Sequence, residues 1–323
     1  MFVPQPFPYQ GSKRRLAPLI LQYFPPGAAR LVEPFAGSAA VSLASACARR
    51  TAAFALNDLN SALMELWERI INAPAEISTQ YESLWKRQAE REREFYDEVR
   101  TEFNRTGQPD LFLYLLARCV KASIRYNSNG EFNQSPDNRR KGMRPGTMRV
   151  QLERTSRLLR GRTRLSSVDY REVLAETTSS DIVYMDPPYQ GVCGNRDPRY
   201  INGVCFEDFA AALDDLSRRG VPFIVSYDGR TGDKAFGRKL PDELNLAHIE
   251  VDAGRSSQAT LLGSDAITYE SLYLSSDLAA KVGVDHLRKG PRPSPQLALF
   301  GDGSWPSRTG STTTTAGSLS SME

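Results

Sequence analysis

The chain has few residues of the kinds that bind metal ions or form disulfides. Its 323 residues include two histidines and four cysteines. The cysteines, Cys47, Cys119, Cys193 and Cys205, show no C-x-x-C spacing, and the histidines are isolated. Zinc sites usually use such paired ligands. We therefore expect no metal ion, and free thiols favour a reducing compartment.

Long apolar runs are also missing. No stretch approaches the roughly 20 apolar residues of a membrane-spanning helix. The first residues lack the basic-then-apolar pattern of a signal peptide. Together these absences predict a cytoplasmic protein with no membrane partner.

Charge is unevenly distributed along the chain, whose net charge is +3. The segment from Lys121 to Arg164 holds twelve Lys or Arg and three acids, a net charge of +9, so the remainder is acidic on balance. A local basic segment is typical of a surface that binds a polyanion. The alternative, a solvated helix face with Arg paired to Glu, fits residues 82–102 better, where acids and bases alternate. The Asn, Gly and Pro residues of this segment indicate an exposed loop. The residues of this loop that we expect to contact a polyanion are Asn133, Arg139, Arg140 and Lys141.

Seven strand-like segments alternate with helical stretches until the last two, at about 30–34, 53–57, 163–167, 181–186, 221–227, 246–251 and 267–274. Alternation predicts an α/β fold with a parallel sheet covered on both faces, and the final pair suggests an antiparallel hairpin. Residues from about 66 to 160 contain helical periodicity and the basic loop but few strands. We therefore predict four parts: the first part of the sheet domain at 1–65, a mainly helical insertion at 66–160, the second part at 161–276, and a flexible low-complexity tail at 277–323.

The most informative motif directly follows the fourth of these strands. Asp186, Pro187, Pro188 and Tyr189 place a carboxylate, two residues without an N–H donor and an aromatic ring at a strand end. The Asp186 carboxylate and the Pro187 carbonyl suit a planar amine, because each accepts one of its hydrogen bonds. The alternative is a tight turn, in which Asp and Pro are common.

Two earlier strand ends have the pattern of a nucleotide-type site. Glu33, Phe35 and Gly37 lead from the first strand into an Ala-rich helix, where backbone amides can meet a ligand; the alternative is an ordinary turn. Asp58 ends the second strand about twenty residues after this glycine, a position from which a carboxylate binds ribose hydroxyls. The alternative for Asp58 is an N-cap of a helix beginning near Ser61.

In this order the motifs resemble the Dam-type (alpha-group, D-P-P-Y) site-specific DNA adenine methyltransferases, over about residues 7 to 275. Residues 9–13 (YQGSK) resemble the first motif of that family, and residues 31–38 (LVEPFAGS) resemble its methyl-donor loop. Residues 56–60 (LNDLN) resemble the acidic end of its second strand, and residues 168–170 (VDY) resemble the acidic residue before its third helix. Residues 126–133 (YNSNGEFN) resemble the signature of the recognition domain.

The resemblance implies a seven-stranded Rossmann-like sheet that uses S-adenosyl-L-methionine (AdoMet) as the methyl donor. It implies methylation of the exocyclic N6 amine of an adenine flipped out of double-stranded DNA, with Asp186, Pro187 and Tyr189 as the catalytic residues. The residues expected to hold the donor are Tyr9, Lys13, Glu33, Phe35, Gly37, Asp58, Asp169 and Asp186.

Some positions leave alternatives open. Tyr126 and Asn127 match family positions that wedge into the duplex near the target base, although a Tyr after an apolar helix is more often part of a core. The stretch from Gln134 departs from the family pattern, so a GATC target is not expected. Ala39 stands where the family usually has a second glycine. Because a positive φ there costs about 1 kcal/mol, we expect either a slightly different loop or a position that is already helical.

Other substrates and partners also stay open. The same motifs fit methylation of cytosine N4 or of RNA, or a non-catalytic sequence-specific DNA-binding protein that retains the fold. They do not say whether a restriction nuclease accompanies the enzyme. In the tail, an apolar island is similar to the Q-L-x-L-F peptide that docks on the bacterial sliding clamp, although such an island can also pack on its own protein. Its anchoring residues are Gln296, Leu297, Leu299 and Phe300.

Overall fold

A single mixed β-sheet organises the chain. The computed structural model describes residues 2–188, 204–231, 234–236, 238–255 and 267–284. The strands are β1 (Arg30–Glu33), β2 (Ala53–Asn57), β3 (Thr163–Ser166), β4 (Asp181–Met185), β5 (Phe223–Thr231), β6 (Lys234–Phe236), β7 (Ala247–Arg255) and β8 (Ile267–Leu274).

Seven of these strands form the sheet in the order β3-β2-β1-β4-β5-β8-β7, and the short β6 pairs with β5. The first five in that order are parallel. Strand β8 is antiparallel to both β5 and β7. The predicted seven-stranded Rossmann-like sheet with a closing antiparallel hairpin is therefore confirmed, and β6 is an addition that the sequence did not indicate.

Helices connect the strands and cover the sheet. They are α1 (Ala17–Ile20), α2 (Ala40–Ala48), α3 (Ser61–Asn72), α4 (Pro74–Arg87), α5 (Glu92–Thr106), α6 (Pro109–Arg118), α7 (Pro145–Leu159), α8 (Tyr170–Ala175), α9 (Phe206–Arg218) and α10 (Ser276–Val282). In the part of the chain that the structure describes, no helix has the length and apolarity needed to cross a bilayer.

The central strands are buried on both faces. Val32, Val183 and Val225 pack in one cluster with Phe209 and Leu213 of α9. Because successive strand residues point to opposite faces, the equally buried neighbours Leu31, Ile182 and Ile224 belong to the other face. This is why β1, β4 and β5 consist of continuous apolar runs, as expected for parallel strands covered on both sides.

The chain order of the sheet reverses between β1 and β4. The connection after β1 leads outward to β2, and the one after β4 leads the other way to β5. Such a switch point leaves a crevice at the carboxyl ends of the two strands, where ligands bind in open α/β sheets. Glu33 ends β1 and Asp186 directly follows β4, so both lie at this crevice.

Five helices, α3 to α7, lie between β2 and β3. Helix α3 begins at Ser61, so the boundary predicted at residue 66 falls inside a helix. Helix α10 is also folded beyond residue 276, where we expected the tail to begin, and its Leu278 is fully buried. The division into a sheet domain and a recognition domain stays a prediction, since residues 1–284 cluster as one compact unit.

Candidate active site

A cavity of about 670 Å³ opens at the switch point. Its size lies within the range typical of sites for small molecules and cofactors. All eight residues predicted to hold the methyl donor line it, together with Pro187 and Pro188. The loops after β1, β2, β3 and β4 therefore converge on one space, although they are far apart in the sequence.

Asp186 is held by an ion pair in this cavity. Lys13 Nζ lies 2.8 Å from each carboxylate oxygen of Asp186. It also lies 3.6 Å from Oε2 of Glu270 on β8. Burial by itself lowers the pKa of Lys13, but the two carboxylates outweigh it, so this pKa lies well above its ordinary value. The structure thus pairs Lys13 with Asp186, another of the residues expected to hold the donor.

The loop after β1 depends on the absence of a side chain at Gly37. Its φ is +47°, and a Cβ added there would lie 3.0 Å from Cε1 of Tyr9. The Gly37 amide donates to Oδ2 of Asp58, and its carbonyl accepts from the Trp67 indole. The loop is therefore fixed against three neighbouring segments before any ligand binds.

Ala39 keeps the left-handed backbone that a glycine would favour, with φ 45° and ψ 37°. The expectation that this position is already helical is wrong, because its φ is positive and the helix begins only at Ala40. The expectation of a slightly different loop stays a prediction. Left-handed backbone costs an alanine about 1–2 kcal/mol. The Ala39 methyl group is fully buried, and burying one such group returns about 0.8 kcal/mol. The net cost of alanine is consequently small.

Glu33 is a buried acid on the wall of the cavity. Oε1 accepts a hydrogen bond of 2.7 Å from the Ser42 amide in the first turn of α2. Burial raises the pKa of Glu33 to about 7, the Ser42 bond opposes this rise, and the Asp186 carboxylate adds to it. Glu33 therefore titrates near neutral pH.

Asp58 braces two backbone segments. Its Oδ2 accepts from the Gly37 amide and its Oδ1 from the Asn60 amide, each at 3.0 Å. Burial raises the pKa of Asp58, and these two bonds oppose the rise. The N-cap of α3 is Asn60, whose side chain accepts from the Leu63 amide. The alternative that Asp58 caps this helix is therefore wrong, and its predicted contact with a ribose stays a prediction.

Two further predicted residues form the opposite wall. Asp169 caps α8 by accepting from the Arg171 amide at 2.9 Å. The Arg171 guanidinium also bonds this carboxylate and lowers its pKa. The Phe35 ring packs 5.3 Å from the ring of Tyr170, which anchors it between the sheet and α8. Asp169 and Phe35 both line the cavity.

Comparison with known proteins agrees with this geometry. Residues 9–256 match the family described as D12 class N6 adenine-specific DNA methyltransferase. The chain belongs to this family. Since the match covers all the cavity loops named above, the Dam-type resemblance is confirmed and the enzyme class is that of a DNA adenine-N6 methyltransferase.

Individual relatives are moderately similar. The Retron Ec67 DNA adenine methylase of Escherichia coli is 29% identical over 264 residues, which are 78% of this chain and 87% of the relative. The DNA N-6-adenine-methyltransferase of Escherichia phage P1 is 26% identical over 69% of this chain, a stretch that spans only 29% of that relative. The DNA adenine methylase of Serratia marcescens is 31% identical over 56% of this chain and 65% of its own length.

In this methyltransferase, the predicted wedge residues lie in a hairpin beside the donor loop. Tyr126 bridges to Phe132, and its hydroxyl bonds the Asn60 side chain at 2.9 Å. Asn127 accepts from the amides of Asn129 and Glu131, each at 2.9 Å, and so closes the turn. Neither residue lines the cavity. The contact with DNA predicted for these two residues is untested.

The basic loop is only partly paired with acids. The side chains of Arg139 and Arg140 are 93% and 81% exposed, with only long contacts of 3.7 Å to Asp137. Asn133 is also exposed. Lys141 instead forms an ion pair of 2.9 Å with Glu92 of α5. Arg139 and Arg140 are thus the basic residues of this loop most accessible to a polyanion.

Some features of the site were not found from the sequence. Glu270 lies in no motif, and a polar residue on an edge-proximal strand gives no signal of a cavity. The Ser38 hydroxyl donates to the Ser12 hydroxyl at 2.8 Å and ties the donor loop to the first motif. Tyr189 falls outside the described residues. Among the described ones, no group of three or more His, Cys, Asp and Glu side chains is placed to hold a metal ion.

Proposed function

We propose that this chain transfers a methyl group from AdoMet to the N6 amine of an adenine flipped out of duplex DNA. The observation that carries the proposal is the single cavity that Asp186 and Pro187 share with the donor loop at Gly37. A family that methylates adenine in DNA needs a base-binding group and a donor-binding loop side by side. The switch point of this sheet provides both.

The residues of the cavity fit the proposed donor. AdoMet supplies, when bound, a methyl group on a positively charged sulfur. Glu33 is a buried carboxyl group and Asp58 a half-buried one, and they suit the cationic and hydroxyl-bearing parts of such a molecule. The absence of a side chain at Gly37 lets the Tyr9 ring lie against the backbone of the donor loop.

Asp186 and Pro187 hold the amine in this proposal. The amine of adenine is a poor nucleophile, because its lone pair is delocalised into the ring. Two acceptors that hold both N–H groups favour a pyramidal nitrogen with its lone pair directed at the methyl group. Proline fixes the local φ, so the carbonyl direction of Pro187 is set in advance. Tyr189 would stack on the extruded base. Because no covalent enzyme intermediate is required, positioning supplies most of the rate.

Substitution of Asp186 tests this proposal. Asp186→Ala should still bind DNA and AdoMet and lose nearly all transfer of labelled methyl groups. A suitable control is Asp242→Ala, which removes an exposed acid that pairs only with Lys239 on the surface. Normal turnover of Asp186→Ala would contradict the assigned role.

Digestion of methylated DNA to nucleosides identifies the modified base. We expect N6-methyladenine, and N4-methylcytosine would replace the proposal with its nearest rival. Single-molecule sequencing of DNA from an expressing host would then map the recognition sequence. Failure to methylate any genomic DNA would favour a non-catalytic DNA-binding protein.

We also propose that the peptide at residues 296–300 docks on a bacterial sliding clamp in the cytoplasm. The support is the sequence alone, since these residues lie outside those described. The Leu and Phe residues of this peptide are suitable anchors for an apolar groove.

A further inference from the structure

Glu270 is an acidic residue that contacts Lys13 of the cavity and has no role in the proposed function so far. It lies on β8, where it pairs with Gly229 of β5 and Val251 of β7. The β5–β8 register shifts between Ser226 and Gly229, and Glu270 is the first β8 residue paired beyond this bulge. Bulges commonly redirect side chains next to active sites.

Gly229 on β5 permits the position of Glu270 on β8. A Cβ at Gly229 would lie 2.7 Å from the carbonyl oxygen of Tyr269, which is closer than any side chain allows. The two strands therefore approach more closely here than other residues would permit. The result is that Oε2 of Glu270 comes within 3.6 Å of Lys13 Nζ.

The Lys13 ammonium has a consequence for the reaction. It donates hydrogen bonds to both carboxylate oxygens of Asp186. In the proposed function, this carboxylate also accepts a hydrogen bond from the adenine amine. During transfer, the amine nitrogen uses its lone pair to form the N–C bond, while the S–C bond breaks with its electron pair going to sulfur. The nitrogen is positively charged until it loses a proton to solvent. A neutralised Asp186 stabilises this charge poorly, because a cation lies beside it.

We propose that Glu270 is a positioning residue that shares the Lys13 ammonium with Asp186, so that the Asp186 carboxylate keeps negative charge for the adenine amine. Two carboxyl groups face one ammonium, so one negative charge is left over for the reacting nitrogen. Both Lys13 and Glu270 are mostly shielded from water, with side chains 13% and 25% exposed. Screening by solvent is therefore weak, and the second carboxylate acts at close range. This inference rests on the role of Asp186 in the proposed function.

The first test compares variants at position 270. We expect Glu270→Gln to lower kcat about 10- to 100-fold, which is less than the loss of a group that touches the reacting atoms. The KM for DNA and the affinity for S-adenosylhomocysteine should stay unchanged, which also shows that the variant folds. Glu270→Asp keeps the charge and should restore most of the rate. The matched control is Glu250→Gln, an acid on neighbouring β7 whose partner is Arg230.

A double-mutant cycle with Lys13→Met tests whether Glu270 acts through Lys13. In the Lys13→Met background, Glu270→Gln should have little further effect on the residual methyl transfer. Denaturant unfolding of the free protein gives a readout without turnover. There the double variant should lose less stability than the two single variants predict together.

The outcomes separate this inference from the proposed function. If Asp186→Ala turns over normally, the site assignment itself is wrong. If Asp186→Ala is inactive while Glu270→Gln has normal kcat, only the role of Glu270 is overturned. Additive effects of the Lys13 and Glu270 substitutions in both assays would also overturn it.

Discussion

At the scale of single residues, Glu33 links ligand binding to pH. Burial raises the pKa of Glu33 to about 7 in the free protein. In the unfolded chain its pKa is near 4.5, so the folded state binds the extra proton between these values. Its contribution to stability is therefore fully present below about pH 4.5 and is lost as pH rises to about 7, by roughly 3 kcal/mol.

A cationic donor beside Glu33 should favour its ionised form. We expect the affinity for AdoMet to rise about tenfold between about pH 6 and pH 8, with a proton released on binding near neutral pH. Calorimetry in buffers of different ionisation enthalpy measures this release. Glu33→Gln should abolish it. A proton release that persists in Glu33→Gln would assign the linkage to another group.

Gly37 should be needed both for its positive φ and for the space that the Tyr9 ring occupies beside it. Gly37→Ala places a side chain at φ +47°, with its Cβ against the Tyr9 ring. We expect a strain of about 1–2 kcal/mol and at least a tenfold loss of AdoMet affinity, measured by calorimetry. Gly27→Ala is the control, since Gly27 also has a positive φ but open space around it. It should lower the unfolding free energy similarly and leave AdoMet binding unchanged.

Residue types with a strong chemical signature were predictable. Asp186, Glu33, Gly37 and Asp58 each lie at or just after the end of a strand, and parallel strands bring such ends together. Contacts among these residues were not predictable. Nothing in the sequence indicates that Lys13 bonds Asp186, because the two are 173 positions apart.

At the scale of secondary-structure elements, the hairpin at residues 126–132 joins the helical insertion to the donor loop. The Tyr126 hydroxyl bonds Asn60, which also caps α3 and donates its amide to Asp58. A change in this hairpin can therefore reach the loop at Gly37 by three hydrogen bonds. Strand and helix patterns could not show this connection, since it depends on side chains at the ends of two elements.

Two variants distinguish the contribution of the Tyr126 ring from that of its hydroxyl group. Tyr126→Phe should lose about 1 kcal/mol of stability and methylate duplex DNA almost normally. Tyr126→Ala should lower the rate on duplex DNA by at least about tenfold, because a missing wedge leaves the cost of base extrusion unassisted. A mismatch opposite the target adenine should restore the rate of this variant. Equal rates for wild type and Tyr126→Ala on duplex DNA would rule out the wedge.

The loop that carries Arg139 and Arg140 should set the salt dependence of DNA binding. Each cation that contacts a phosphate adds about 0.9 to the slope of log K against log salt. Arg139→Gln with Arg140→Gln should therefore reduce the slope by about 2, as measured by fluorescence anisotropy. The control pair is Arg105→Gln with Arg218→Gln, exposed arginines that are ion-paired on α5 and α9. An unchanged slope would place the phosphate contacts elsewhere.

At the scale of the whole molecule, the fold was predictable because its strands are short apolar runs separated by helices. Their order also follows from the family resemblance. The positions of individual strands agree with prediction at β1 to β4 within one residue at either end, and β5 and β7 extend further than expected. Their extensions carry the bulge and the close approach at Gly229, which are tertiary features without a periodic signal.

The tail provides a test in which binding and catalysis should separate. Residues 2–188 and 204–284 contain every described wall of the cavity, so changes near residue 300 should leave methyl transfer to naked DNA unaltered. We expect the full chain to bind a bacterial sliding clamp with micromolar affinity, and Leu299→Ala with Phe300→Ala to abolish that binding. Thr312→Ala with Thr313→Ala, in the same tail, is the matched control and should bind normally. Surface plasmon resonance on immobilised clamp measures the affinity. Equal binding of both double variants would show that this apolar peptide is not the docking segment.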